Sequence, residues 1–166
     1  NAPEFEAAEK AVTGRLEKLF NIKGSKTVDY FHKKLGQVMW DKVGMARNEA
    51  GLKTAIKDIQ EIRAEFWKDV KVVGKADGVN QTLERAGRLV DYLELGELMA
   101  RDALDRKESC GGHFRTEYQT EDGEALRNDE EYAYASAWEF KNVGKWELHK
   151  EQLEFEIAKP TQRSYK

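Results

Sequence analysis

The sequence predicts a mainly α fold: an antiparallel three-helix bundle with an extra N-terminal helix, followed by a small C-terminal extension built on a β-hairpin. Three observations carry this. Apolar residues recur at three- and four-residue steps through the first two thirds of the chain, the period of one helix face. Thr27, Asn48 and Asn80 each stand just before such a run, where a side-chain oxygen caps a helix start. Beyond residue 131 the period changes to two. A charged content of 36% with only 2 prolines suits long surface helices rather than a β-sandwich.

The first helix runs from Pro3 to Phe20, with Phe5, Ala8, Val12, Leu16 and Leu19 on one face and Gly24 and Ser25 at its stop. Pro3 suits a first helical turn, where its missing N–H costs nothing. The second helix is expected from Thr27 to about Ala46, with Val28, Phe31, Leu35, Val38 or Met39 and Lys42 or Val43 inward. The third follows after a very short link, to about Val70, with Leu52, Ile56, Ile59, Ile62 or Arg63 and Phe66 as its inner face. Gly74 to Gly78 is a loop. The fourth and longest helix is expected over 80–108, with Leu83, Ala86, Val90, Leu93, Glu97 or Leu98, Ala100 or Arg101 and Leu104 in period. Gly87 and Gly96 each cost about 1 kcal/mol in a helix interior, which predicts a close neighbour at both. Arg106 and Lys107 fall in its last turn, and Gly111 or Gly112 supplies the left-handed residue that ends it.

Residues 117–131 hold seven acids and one base, a solvated connection. Tyr132, Tyr134, Ser136, Trp138 and Phe140 then alternate, Asn142-Val143-Gly144 turns the chain, and Trp146 and Leu148 answer on the return. Trp138 and Trp146 are expected to face each other, and Leu153, Phe155 and Ile157 suggest a third short strand. Trp40 and Trp67, at helical positions, are expected in the core. Lys159, Arg163 and Lys166 make a basic tail. The division is therefore residues 3–115, a helical domain, and 116–166, the extension, with Asn1-Ala2 reading as a cloning scar.

A net charge of -3 argues against a general nucleic-acid binder, and no apolar run approaches the ~20 residues of a membrane span. One cysteine excludes an internal disulfide. No G-x-G-x-x-G or Walker-type loop exists to cradle a dinucleotide or nucleotide phosphate. Cys110 and His113 have half the spacing of a zinc site, but no second pair completes four ligands. No metal ligand, catalytic residue or cofactor-binding residue is assigned.

The segment Arg106-Lys107-Glu108-Ser109-Cys110-Gly111-Gly112-His113-Phe114-Arg115 carries the most information. It resembles the R-K-E-S-R-G-A-H-x-R signature of the flavoprotein subunits of succinate dehydrogenase and fumarate reductase, with Cys110 for the usual Arg and Gly112 for the usual Ala. Residues Phe31 to Leu52 are similar to the family's L-x-x-x-M-x-x-x-x-G-x-x-R-x-x-x-x-L helix–turn–helix entry. Phe66-Trp67 falls at its aromatic pair, and Pro160 to Tyr165 resembles its P-P-x-x-R-x-Y ending. L-aspartate oxidase and adenylylsulfate reductase share related bundles, but the Arg163-Ser164-Tyr165 ending favours the succinate/fumarate branch.

The resemblance implies the helical domain and C-terminal extension of a longer flavoprotein. The whole protein would bind FAD, interconvert succinate and fumarate, and exchange electrons with an iron–sulfur subunit and a membrane quinone. It would sit as a peripheral subunit on the cytoplasmic side of the inner membrane. No catalytic residue of the family maps onto this chain, and FAD would lie in the remainder. Within the signature, Arg106, Glu108, Ser109, Gly111, Gly112, His113 and Arg115 form the expected structural and docking motif. The charged side chains are expected to converge on a surface covered by the flavin and capping domains or by the iron–sulfur subunit. A stand-alone helical interaction module is the competing reading.

Overall fold

A computed structural model describes residues 2–75, 78–158, 160 and 161. Its frame is three long helices: α2 (Val28–Lys42), α3 (Glu49–Asp69) and α4 (Gln81–Asp105), preceded by α1 (Pro3–Asn21). Each of the three begins on its expected cap. The side-chain oxygens of Thr27, Asn48 and Asn80 accept the N–H groups of Tyr30, Gly51 and Leu83 at 3.2, 2.7 and 3.0 Å. Each bond satisfies one of the four N–H groups a helix start leaves without a partner.

Two short parallel strand pairs fix the ends of the bundle. At one end β1 (Lys26–Thr27) pairs with β3 (Val70–Lys71), tying the start of α2 to the end of α3. At the other end β2 (Ala46–Arg47) pairs with β4 (Phe114–Arg115), tying the α2–α3 corner to the chain leaving α4. Consecutive helices therefore run antiparallel.

The core lies along the expected stripes. Phe31, Ile59, Phe66 and Leu93 are all wholly buried in one cluster with Leu19 and Leu89. Leu52, Ala55, Ala100 and Ala103 form a second cluster nearer the exit from α4. Burying each large aliphatic side chain contributes about 1.5–3 kcal/mol, which exceeds anything helix propensity supplies here. Gly96 is where α4 meets its neighbours: a Cβ there would stand 3.2 Å from Met39 Sδ and 3.5 Å from Leu35 Cδ1. At Gly87 no such neighbour exists, because a Cβ there would meet nothing within 4 Å.

Several boundaries differ from expectation. Helix α2 stops at Lys42 rather than Ala46, since Ala46 and Arg47 extend to pair with Phe114 and Arg115. Helix α4 stops at Asp105 rather than Glu108. Arg106 turns extended (φ -78, ψ 102), and a side chain rather than a glycine takes up the carbonyls of the last turn. Arg106 and Lys107 consequently lie beyond the last turn. Helix α1 lays little on the bundle: Leu19 is buried, whereas Phe5 is 75% exposed. Trp40 is 83% exposed, because the Phe31–Leu35 stripe continues to Met39 and turns the next position outward. Trp67 packs at the edge of the core.

The acidic connection is structured. Residues 117–127 fold back through an isolated bridge between Gln119 and Ala125, and α5 (Asp129–Tyr132) follows. The hairpin is β5 (Tyr134–Asn142) with β6 (Lys145–Gln152), turning at Gly144 with φ +75. Its register places Phe140 opposite Trp146 and Trp138 opposite Leu148, so the two tryptophans are diagonal neighbours rather than a facing pair. After Gln152 the chain leaves the ladder and the described residues show no third strand. Phe155 and Ile157 are 50% and 98% exposed. The hairpin is pinned to α4, with Trp138 Nε1 donating to Asp102 Oδ1 at 2.7 Å. Asn1, Lys159 and the 162–166 ending, with Arg163, Ser164, Tyr165 and Lys166, lie outside the described residues. No helix among the described residues is long and apolar enough to cross a membrane.

Candidate functional site

The signature segment forms a knot at the exit from α4, built around Arg115. Its guanidinium is 1% exposed. Nη1 donates to the carbonyls of Ala103 (2.9 Å) and Leu104 (3.3 Å), two of the four that a helix end leaves unsatisfied. Nε donates to Glu117 Oε2 at 3.2 Å, and the plane lies 5.4 Å from the ring of Tyr118. Ser109, also wholly buried, fixes the backbone of the same residue: its Oγ accepts the Arg115 N–H (2.8 Å) and donates to the Arg115 carbonyl (3.1 Å). One side chain thus holds the arginine's main chain while the arginine caps the helix.

Glu108 is 2% exposed and joins three segments. Its Oε1 accepts from Arg106 Nη1 at 3.1 Å, and its Oε2 from the Asn128 N–H at 2.8 Å. Arg106 reaches on to the carbonyls of Tyr132 and Tyr134, both at 3.1 Å, with its guanidinium 5.7 and 5.3 Å from the centres of the two rings. The start of the hairpin is thereby anchored to the end of the bundle.

Cys110 and His113 exchange backbone hydrogen bonds at 2.8 and 3.0 Å around Gly111 and Gly112. Gly111 has φ +57, so the expected left-handed glycine exists, but it makes this turn six residues past Asp105, the last residue of α4, rather than ending the helix. His113 Nε2 lies 3.0 Å from the Arg106 carbonyl. A carbonyl only accepts, so this nitrogen carries the proton. Burial pushes the imidazole below its ordinary pKa, and the charges of Arg47, Arg115 and Arg106 push the same way, against the Arg106 carbonyl bond. The neutral Nε2–H form follows.

The structure therefore brings Arg106, Glu108, Ser109, His113 and Arg115 together, but inward. The expected convergence on an open surface does not hold for Glu108 and Arg115, which are buried and bonded to this chain's own backbone and side chains. Gly111 and Gly112 at the turn are exposed.

Three contributors were not assigned from the sequence. Arg47 donates to the Gly112 carbonyl at 3.2 Å. Its signal was available, as the arginine of the G-x-x-R step that begins at Gly44. Glu117 accepts the N–H of Glu49 at the start of α3, where a carboxylate suits the positive helix end. Burial raises the Glu117 carboxyl, but the Glu49 and Arg115 bonds outweigh it and the net shift is downward. Glu97, one of two alternatives for an inward position, is the one chosen, and it is wholly buried. It accepts from Gln60 Nε2 (2.8 Å), from Arg101 Nε and Nη2 (2.9 and 2.7 Å), and from Arg63 Nη2. Burial acts to raise its carboxyl, yet these donors from Gln60, Arg101 and Arg63 carry the net shift below the ordinary value.

For metals, one group among the described residues has converging ligand atoms: Glu139, Glu147 and His149, exposed on the hairpin. Lys141 Nζ already lies 2.6 and 3.0 Å from the two carboxylates, so an ion pair accounts for their approach. Cys110 and His113 are engaged through their backbones, and the thiol is half-buried.

With this geometry in hand, the comparisons with known proteins are specific. The family model described as the fumarate reductase flavoprotein C-terminus matches residues 32–165. An uncharacterized FAD-dependent oxidoreductase of Methanocaldococcus jannaschii is 37% identical over 111 residues, covering 67% of this chain and 20% of that protein. The fumarate reductase flavoprotein subunit of Helicobacter pylori is 32% identical over 128 residues, 77% of this chain and 18% of the relative. A solved quinol–fumarate reductase with menaquinol molecules superposes with a TM-score of 0.81 at 24% identity, over 97% of this chain and 27% of that one. The chain spans about a fifth of the length of the curated relatives it matches.

Proposed function

We propose that this chain, which belongs to the fumarate reductase flavoprotein C-terminal family, braces the flavin-binding part of a longer FAD-dependent oxidoreductase. That enzyme interconverts succinate and fumarate and exchanges electrons with an iron–sulfur subunit and, through it, a membrane quinone. It is a peripheral subunit on the cytoplasmic side of the inner membrane. FAD belongs to the remainder of the polypeptide. In support, the sequence holds no G-x-G-x-x-G or Walker-type loop to cradle its pyrophosphate. The chain's contribution is rigidity and contact surface, not chemistry.

The observation that carries this reading is an uncovered apolar strip between α2 and α4. Tyr92, Leu95 and Met99 stand 42%, 53% and 49% exposed along α4, beside Gly36 and Met39 of α2. Water-exposed side chains of this size in a row mark a surface that another body covers. The exit knot supports the same reading from the other side, because it holds the hairpin to the bundle as one docking unit.

The test uses the full-length flavoprotein carrying Met99→Arg and, separately, Met99→Glu. Bound flavin and co-purifying iron–sulfur subunit should fall sharply, while the 166-residue chain with the same changes melts as the unsubstituted one does. Full flavin loading and normal subunit assembly would overturn the bracing role.

A further inference from the structure

Next to that strip, with Leu95 common to both, a shallow cleft of about 320 Å³ opens between α4 and the hairpin. Its hairpin wall is aromatic: Trp138, Phe140 and Trp146. Its helix wall carries two carboxylates one turn apart, Asp91 and Glu94. Glu94 Oε1 is buried and accepts no hydrogen bond among the described residues. A buried carboxylate oxygen without a donor is costly, of order 1–3 kcal/mol or more, and calls for an explanation at its site.

The neighbouring turn of the same helix shows what satisfies such an oxygen here. Glu97 takes donors from two guanidiniums and an amide. One of those guanidiniums, that of Arg101, lies 5.4 Å from the ring centre of Trp146. One indole and one carboxylate beside this cleft therefore already hold one arginine. Glu94 and Asp91 repeat the arrangement one turn back, with Phe140 exposed beside them. Asp91 is engaged by Arg15 at 3.5 Å, but both side chains are largely solvent-exposed and that pair exchanges readily.

We propose that this cleft is a recognition site for an arginine side chain of a protein partner. A flat cation suits three aromatic walls through cation–π attraction and stacking. The two carboxylates ask for several N–H donors in one plane, which a guanidinium fork supplies and an ammonium does not. The apolar walls exclude water from the contact and strengthen it.

The probe is Nα-acetyl-arginine amide, titrated into the protein while the indole N–H signals of Trp138 and Trp146 are followed by NMR. Saturable shifts of both signals are expected. The neutral isostere Nα-acetyl-citrulline amide should bind about tenfold or more weakly, equivalent to ~1.4 kcal/mol. Glu94→Gln should weaken the arginine probe by a similar factor without lowering the melting temperature, because Oε1 has no hydrogen bond to lose. Phe140→Ala, at an exposed position, should weaken it without unfolding the hairpin. Equal binding of citrulline, unshifted indoles, or undiminished binding to Glu94→Gln would each overturn the proposal, and equal binding of Nα-acetyl-lysine amide would overturn its restriction to arginine.

Discussion

Replacing Arg115 by alanine removes the guanidinium that caps α4, and its effect can be worked from the contacts. Nη1 serves the carbonyls of Ala103 and Leu104, and Nε serves Glu117. Hydrogen bonds to a charged group contribute about 1.5–3 kcal/mol each. The two carbonyls share one nitrogen and count roughly once, so two such bonds are lost, or about 3–6 kcal/mol. The side chain is 1% exposed, so the carbonyls do not gain full hydration in exchange. In a domain of this size each kcal/mol moves the melting temperature by roughly 2–4 °C, which predicts a fall of roughly 6–24 °C. Arg115→Lys keeps the charge but not the fork, and should lose about half as much. Thermal and urea denaturation of the three proteins measure this. A melting temperature for Arg115→Ala within about 2 °C of the parent would mean that water replaces the cap, and the knot would not be a structural element at all.

Ile59→Asp and Leu93→Asp, at fully buried positions, should each cost several kcal/mol in a urea melt, and parent-like melts would refute the assigned helix faces. Gly111→Val should lose about 1 kcal/mol or more to left-handed strain, while Gly112→Ala, outside that region and with open space around it, should be nearly silent. Glu97→Gln should destabilise near neutral pH, because Arg63 and Arg101 lose their counter-charge. The folded-state carboxyl of Glu97 is held below its ordinary value, so its contribution is complete above the unfolded pKa of about 4.3 and disappears as pH falls through the folded value. The stability gap between parent and Glu97→Gln should therefore shrink on acidification below about pH 4, and a gap constant down to pH 2 would refute the ionised assignment.

What could be read from the sequence, and what could not, divides along the range of the interaction. Thr27, Asn48 and Asn80 act on backbone three residues away, and Phe31, Ile59 and Leu93 repeat with the helix itself, so caps and faces were legible. The end of α4 was not. A glycine pair after a charged run reads as a helix stop, yet the last turn is capped by Arg115, ten residues on, whose position depends on Ser109 and on pairing with Arg47. The same remoteness explains the motif's inward turn. Charges on a loop read as surface, but Glu108 is covered because Asn128 and Arg106 bring the hairpin across it. Glu97 and Leu98 were indistinguishable by period, and the choice fell to donors on α3, Gln60 and Arg63, one helix away. In each case the deciding partner is a polar group distant in sequence. Hydrophobic periodicity fixes which face turns in, whereas buried polar partners fix where elements end and how the hairpin seats against the bundle. That seating is what sets Trp138, Phe140 and Trp146 against Asp91 and Glu94, so the cleft on α4 exists only because the exit knot closes.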